Sequence, residues 1–304
     1  VTVALTEPGV YDLPAAVYHR DPVQGGSLSS TGARKLLPPS CPALFRHYLD
    51  NGQEPRREFD FGHAAHKVVL GAGEDTVVIA GTGKDENSWR TKADEEAVAA
   101  ARAAGKTPIT PRDAQIVDEM AAALQAHPIA GRLFDPSNGK PEQTLVWRDH
   151  EFGVWRRAML DWLPTSRDGH RLIVADYKTT KSAQPQAISR ALDTYGYAQQ
   201  AAWYLDGVKA LGLHGRIEPA FVFVFQEKTA PYLVTVAQPD PDALLWGDRL
   251  NRLALHTYAQ CTRTGRWPGY ADDVIAVGLP PWALRQHEDA WLAGEYDTNE
   301  TSAA

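Results

Sequence analysis

Asp176-Tyr177-Lys178 puts an acid and an amine two residues apart within a segment, 171–179, that reads as a strand. Alternate side chains of a strand point to opposite faces, so Asp176 and Lys178 share one face and Tyr177 takes the other. Asp161 stands near the end of the preceding predicted strand, and the short polar loop 165–170 lets the two fold back as a hairpin. Two carboxylates set side by side repel, and a cation between them relieves the repulsion. Hard oxygen ligands of this kind suit Mg²⁺, or Mn²⁺ in its place, rather than zinc. Such an ion polarises a phosphoryl oxygen and makes water a better nucleophile. A neighbouring amine, Lys178, can then position that water or offset the charge developing on phosphate. The chemistry open to these three residues is hydrolysis of a phosphodiester. An Asp-x-Lys triplet alone is common and often only a surface ion pair, so its meaning depends on what accompanies it.

Gln200 and Tyr204 stand four apart in a predicted helix over 186–211, with Tyr197 three residues before Gln200, so the three share one face. Trp203 and Leu205 read as core. A glutamine on a packed face needs hydrogen-bond partners for its amide. Gly62 and His66 are likewise four apart on a helix predicted over 59–70, with His63 as the bystander. Glu142 begins the first core strand, and Arg156 and Arg157 lie on the second. Strand alternation predicts that only one of those arginines faces the cleft. Arg156, Arg157 and Lys181 are the candidate DNA contacts.

The elements that must position these residues can be read from periodicity and punctuation. Segments 143–148, 153–163 and 171–179 read as three strands bounded by Gly, Asp or Pro, and 220–226 as a strongly apolar fourth with 231–236 as its hairpin partner. Helices are predicted over 59–70, 86–104, 111–126, 186–211 and 241–263, with Ser29-Ser30-Thr31 offering caps to a short one over 32–37. The expected fold is an α/β core in the order αβββαβ, a mixed sheet flanked by helices, with helical additions at the N-terminus. The expected division is an N-terminal helical part over 1–140, a core over 141–270, and an extension over 271–304 whose tail frays from Glu295, all in one compact domain.

Bulk properties exclude several classes. The 304 residues carry a net charge of −7, which argues against coating DNA by bulk attraction but not against a local basic track. Cys41 and Cys261 are the two cysteines, too few for a four-cysteine zinc site or iron–sulfur cluster. The run 221–225 is far too short to cross a bilayer, and no basic-then-apolar leader opens the chain at Val1, so a cytoplasmic protein without membrane contact is expected. No Gly-x-Ser-x-Gly, P-loop or zinc-helix motif is present.

Gly62-x-x-x-His66, Asp161, Asp176-x-Lys178 and Gln200-x-x-x-Tyr204, in that order, resemble the motif series of RecB-type PD-(D/E)XK nucleases. Leu28-Ser-Ser-Thr-Gly-Ala-Arg-Lys-Leu-Leu, Ser40-Cys-Pro-Ala-Leu-Phe and Tyr197-Ala-Gln-Gln-Ala-Ala-Trp-Tyr-Leu-Asp-Gly further resemble the RecE-type, exonuclease VIII-like phage recombination enzymes. The resemblance runs from about Tyr11 to the helix after Pro241 and leaves out the tail. It implies that Asp161 and Asp176 bind metal, that His66 completes or orients the site, and that Lys178 assists the water. Gln200 and Tyr204 would support the site or contact the DNA backbone, and Glu142 matches an acidic position often found beside it. It also implies 5′-to-3′ degradation of one strand of linear duplex DNA from its ends, a ring-shaped homo-oligomer such as a tetramer, and a RecT-like single-strand annealing protein as partner. Another RecB-like nuclease, endonucleolytic or single-strand-specific, and a catalytically silent DNA-binding module of the same fold remain as alternatives.

Overall fold

The computed structural model describes residues 4–52, 57–166 and 169–296. The loop expected over 165–170 lies partly outside the described residues, and so does the expected tail beyond Tyr296. The chain divides into two compact units, Val1–Trp267 and Pro268–Ala304.

The first unit opens with β1 (Gly9–Asp12), α1 (Ala15–His19), β2 (Leu28–Ser29), α2 (Ser30–Lys35), α3 (Pro42–Asn51) and α4 (Arg57–Leu70). Next come β3 (Thr76–Val78), α5 (Lys92–Ala103), β4 (Thr107–Ile109), α6 (Pro111–Ala126) and α7 (Ala130–Leu133). The rest is β5 (Gly139–Arg148), β6 (Trp155–Pro164), β7 (Ile173–Thr180), α8 (Pro185–Thr194), α9 (Tyr197–Ala210), β8 (Ala220–Glu227), β9 (Val234–Ala237) and α10 (Pro241–Thr264). The second unit holds α11 (Pro281–Leu292), a helix where only an extension was expected. No helix among the described residues is long and apolar enough to cross a membrane.

Among the described residues seven strands form one mixed sheet in the order β1-β5-β6-β7-β8-β9, with β2 paired to β6. β5, β6 and β7 are antiparallel neighbours, whereas β7 and β8 run parallel because α8 and α9 carry the chain back across the sheet. This is the α/β core expected, a central mixed sheet with helices on both sides. β8 shows why the layers form. Phe221, Phe223 and Phe225 pack on the side of α9 and α10, and Val222 and Val224 on the side of α4 and α6. A strand buried on both faces must be apolar throughout, and each fully buried phenylalanine contributes about 2–3 kcal/mol.

Two departures from expectation have local causes. The helix expected over 86–104 starts at Lys92, because Thr91 and Asp94 form a capping box there and Asp94 also accepts from Thr82 N (2.8 Å). The helix expected over 186–211 is two helices, broken where Gly196 takes the left-handed conformation at φ 65°. Helix α9 is then free to press against α10 at Gly247, where a Cβ would stand 2.3 Å from the Ala198 carbonyl oxygen. Asn251 Nδ2 donates to the Gln199 carbonyl (3.0 Å) across the same crossing.

Candidate active site

β6 and β7 are paired at one position, Trp162↔Ala175, and part on the side where Asp161 and Asp176 stand. Further along β6 the vacated edge is taken by β2, which pairs Leu28 and Ser29 with Arg156 and Arg157. The splay leaves an opening in the sheet that begins at the two acids. The regular alternation of β6 is also broken there. Leu160 packs in the core beneath α9, while Trp162, two residues on, packs in the core beneath α4 and α6. Opposite Asp161 in the flanking β5–β6 register stands Glu142, whose φ of 48° is rare for a residue with a side chain.

Asp161, its side chain 17% exposed, accepts a hydrogen bond at Oδ2 from the backbone N–H of Tyr177 (2.8 Å). The acid thus caps a β7 donor that the parting of the strands would orphan. Asp176 is fully buried; Gln200 Nε2 donates to its Oδ1 (2.8 Å), and the Lys178 ammonium forms an ion pair with its Oδ2. That Oδ2 has no hydrogen bond of good geometry. Lys178 Nζ also lies 5.3 Å from the centre of the Tyr197 ring. His66 brings Nδ1 to 3.6 Å from Asp161 Oδ2 and sets its ring edge-on to Tyr177, centroids 5.2 Å apart. Five of the predicted residues, Asp161, Asp176, Lys178, Gln200 and His66, therefore meet at one place.

The electrostatics follow from burial. Burial and then the Asp161 charge push the Asp176 carboxyl up to about 6, against the pull of Lys178. Burial raises Asp161 too, opposed by Lys178 and the Tyr177 N–H. Burial works to lower the Lys178 ammonium, but Asp176 and Asp161 outweigh it, so its pKa ends above the ordinary value. Burial, reinforced by Lys178, lowers His66 to about 4 and keeps its imidazole neutral near pH 7. Two carboxylates facing one ammonium leave the pocket with excess negative charge, and Glu142, raised by burial and by Asp161, adds to it.

This donor set fits a hard divalent cation. It offers two carboxylates, one with a buried oxygen that a cation, the Lys178 ammonium, already contacts, and a neutral imidazole alongside. Among the described residues no three His, Cys, Asp or Glu side chains stand close enough to enclose an ion as placed, and the Lys178 ammonium lies on Asp176 instead.

The remaining predicted residues are placed less directly. Tyr204 is buried one turn after Gln200 and packs edge-on to Phe221 (5.9 Å), its hydroxyl pKa raised well above normal by burial. It supports Gln200 and is closed to solvent. Lys181 is exposed just past the end of β7. Arg156 and Arg157 correct the expectation that one faces a cleft, because both faces of β6 are covered. Arg156, 2% exposed, lies between the rings of Trp147 and Trp203 and pairs with Asp206 and Asp149. Arg157, 6% exposed, donates to Ser27 O (2.7 Å) and Oγ (2.8 Å) and pairs with Asp21 (3.0 Å). Neither guanidinium is available to a phosphate. Cys41 and Cys261 are buried and unpaired with each other, and His63 is exposed.

Tyr177 went unread in the sequence except as the residue pointing away. Its N–H holds Asp161, its ring packs on His66, and its hydroxyl donates to the buried Gln226 Oε1 (2.6 Å). No residue-type signal marks such a role. A cavity of about 300 Å³ opens beside Lys178 and Gln200, between α2 and the break before α9. The larger cavities, about 720 Å³ near His256 and about 710 Å³ between α8 and α10, have none of the predicted site residues in their walls. Size is therefore a poor guide to the chemistry in this molecule.

Residues 29–277 match the family model described as a PDDEXK-like domain of unknown function, DUF3799. Among solved structures, the fold is similar to a crystal structure described as a "Putative exonuclease" from Eubacterium rectale, at TM-score 0.56 and 10% identity over 90% of this chain and 98% of that one. The crystal structure of SSO0001 aligns at TM-score 0.30 and 13% identity over 72% of this chain and 91% of that one, too distant to carry an argument. No curated protein matches the chain.

Proposed function

Because the chain belongs to the PDDEXK-like domain family DUF3799, we propose that it is a divalent-metal-dependent nuclease centred on Asp161, Asp176 and Lys178. The observation that carries this reading is the meeting of Asp176, Lys178 and Gln200 in a buried pocket beside Asp161, at the point where β6 and β7 part. Asp161 and Asp176 would hold Mg²⁺, with Mn²⁺ as substitute, and His66 and Glu142 would lie at the edge of its ligand shell. When bound, the ion would neutralise the scissile phosphate and promote ionisation of the attacking water.

The chain's own groups do the rest. Gln200 fixes Asp176 through Oδ1 and leaves Oδ2 for a cation. The Tyr177 N–H fixes Asp161 in the same way. With a metal ion on the acids, the Lys178 ammonium, which pairs with Asp176 here, would serve the phosphate or the water. Neutral His66 can exchange a hydrogen bond without adding charge.

The finer reading rests on the motif resemblance: an exodeoxyribonuclease that degrades linear duplex DNA from its ends, 5′ to 3′, leaving single strands for annealing-type recombination. A ring-shaped homo-oligomer such as a tetramer and a RecT-like annealing partner belong to the same proposal. Lys181, exposed just past the end of β7, would contact DNA phosphate. Incubation with end-labelled linear duplex and closed circular DNA, with and without Mg²⁺, tests the proposal. Linear DNA should disappear only with Mg²⁺ while circles survive. Nicked circles would replace the exonuclease with an endonuclease. Binding without cleavage under every condition would favour a silent DNA-binding module.

A further inference from the structure

We propose that the break between α8 and α9 forms a stacking ledge, ending in Tyr195, for an unpaired terminal nucleotide of the DNA strand beside Lys178. This deepens, and rests on, the nuclease reading above. The break is built rather than incidental. Gly196 turns the chain at φ 65°, a conformation that costs an ordinary residue energy. A Cβ at this position would stand 2.5 Å from Arg34 Cδ, and the Arg34 guanidinium donates to the Tyr195 carbonyl. Arg34 on α2 thereby clasps the turn from across the cavity.

The clasped turn sets Tyr195 and Tyr197 ring to ring, centroids 5.5 Å apart and 37° from parallel. Tyr197 is seated in turn on Phe223 (5.3 Å) and Phe225 (5.9 Å), both buried. The aromatic run thus starts in the core and ends in Tyr195, 55% exposed. A lone exposed aromatic is ordinary on a protein surface. This one lines the same cavity of about 300 Å³ as Lys178, together with Ser30, Thr31, Arg34 and Tyr197. An aromatic face, two hydroxyls, a guanidinium and the ammonium of the candidate centre are the groups that hold a base, a sugar and a phosphate.

The geometry also selects the state of the nucleotide. Inside a duplex the faces of a base are covered by its neighbours and only its edges are open. A ring that offers its face can therefore engage an unpaired end base, or the outer face of the last pair, but not a base inside the stack. A frayed or unpaired end would bind better than a fully stacked one.

The test uses the full chain in EDTA and a duplex bearing 2-aminopurine as an unpaired terminal nucleotide. Binding should quench its fluorescence. Tyr195→Phe should keep both quench and affinity, while Tyr195→Ala should lose the quench and bind about tenfold more weakly. Absence of a quench with the unaltered protein, for want of stacking or of binding, overturns the ledge. So does equal behaviour of Tyr195→Ala. Mg²⁺-dependent digestion by the same preparations separates the two readings. Digestion without any Tyr195 effect removes the ledge alone, and a Tyr195-dependent quench without digestion supports the ledge and removes the nuclease.

Discussion

Strand β6 carries two buried clusters of charge, and they are paired in different ways. At Arg156 and Arg157 the buried charges are cations, and each has an acid of its own. Asp149 and Asp206 flank the first and Asp21 faces the second, with Arg252 and Glu151 extending the network. Each guanidinium pairs through Nη1, leaves its buried Nε without a hydrogen bond, and lies against aromatic rings. Five residues further on, Asp161 and Asp176 share a single ammonium, and both acids are raised by burial. Burying charge is costly unless it is paired. In the first cluster every buried cation has its own acid, whereas in the second two buried acids depend on one ammonium, and a cation from solution can serve both. The pairing of each buried charge, more than burial or cavity volume, separates architecture from chemistry in this fold.

That contrast can be broken by substitution. Asp176→Asn should reduce Mg²⁺-dependent DNA cleavage by on the order of 10³-fold while the melting temperature holds or rises, since a buried charge with imperfect pairing is removed. Lys178→Ala should cost about 10²-fold or more in kcat with the fold retained. Arg156→Ala should do the reverse, lowering unfolding free energy by about 3 kcal/mol in urea titrations while cleavage per folded molecule stays near normal. A stable but inactive Arg156→Ala would erase the distinction between the clusters. Gln200→Ala should weaken activity by about tenfold, because it loosens Asp176 without removing it.

The smallest effect sharpens the comparison through pH. The Asp176 carboxyl rises from 3.8 to about 6 on folding, so the folded chain holds a proton that the unfolded chain has lost across that window. The stability of metal-free protein should therefore fall as pH rises from about 4 to about 6, then level off. Asp176→Asn should flatten this slope, and urea midpoints at several pH values measure it. A slope unchanged in Asp176→Asn would assign it to another group.

The order of strands and the meeting of Asp161 with Asp176 were legible because they rest on alternation and loop length, which a chain displays locally. That Gln200 needs a partner was legible for a similar reason, since an amide on a packed face cannot stay unpaired, but that the partner is Asp176 emerges only in the structure. The arginines were misread because alternation says which residues share a face but not what covers each face. Here the Trp147–Trp203 pair covers one side, and Ser27, Asp21 and Tyr18 cover the other. The break at Gly196 was missed because a single glycine is tolerated within helices; it is Arg34, 162 positions earlier, that gives the break its form. Pro280-Pro281 is a sound helix start that was passed over in a segment taken for a tail.

Binding of Mn²⁺ to the free protein, followed by loss of the EPR signal of the aqueous ion, is the most direct measurement of the central claim. The unaltered chain should take up the ion at a site that Asp161→Asn and Asp176→Asn each abolish and that Arg156→Ala, while folded, retains. Undiminished uptake by both aspartate variants would place the metal elsewhere and contradict the account.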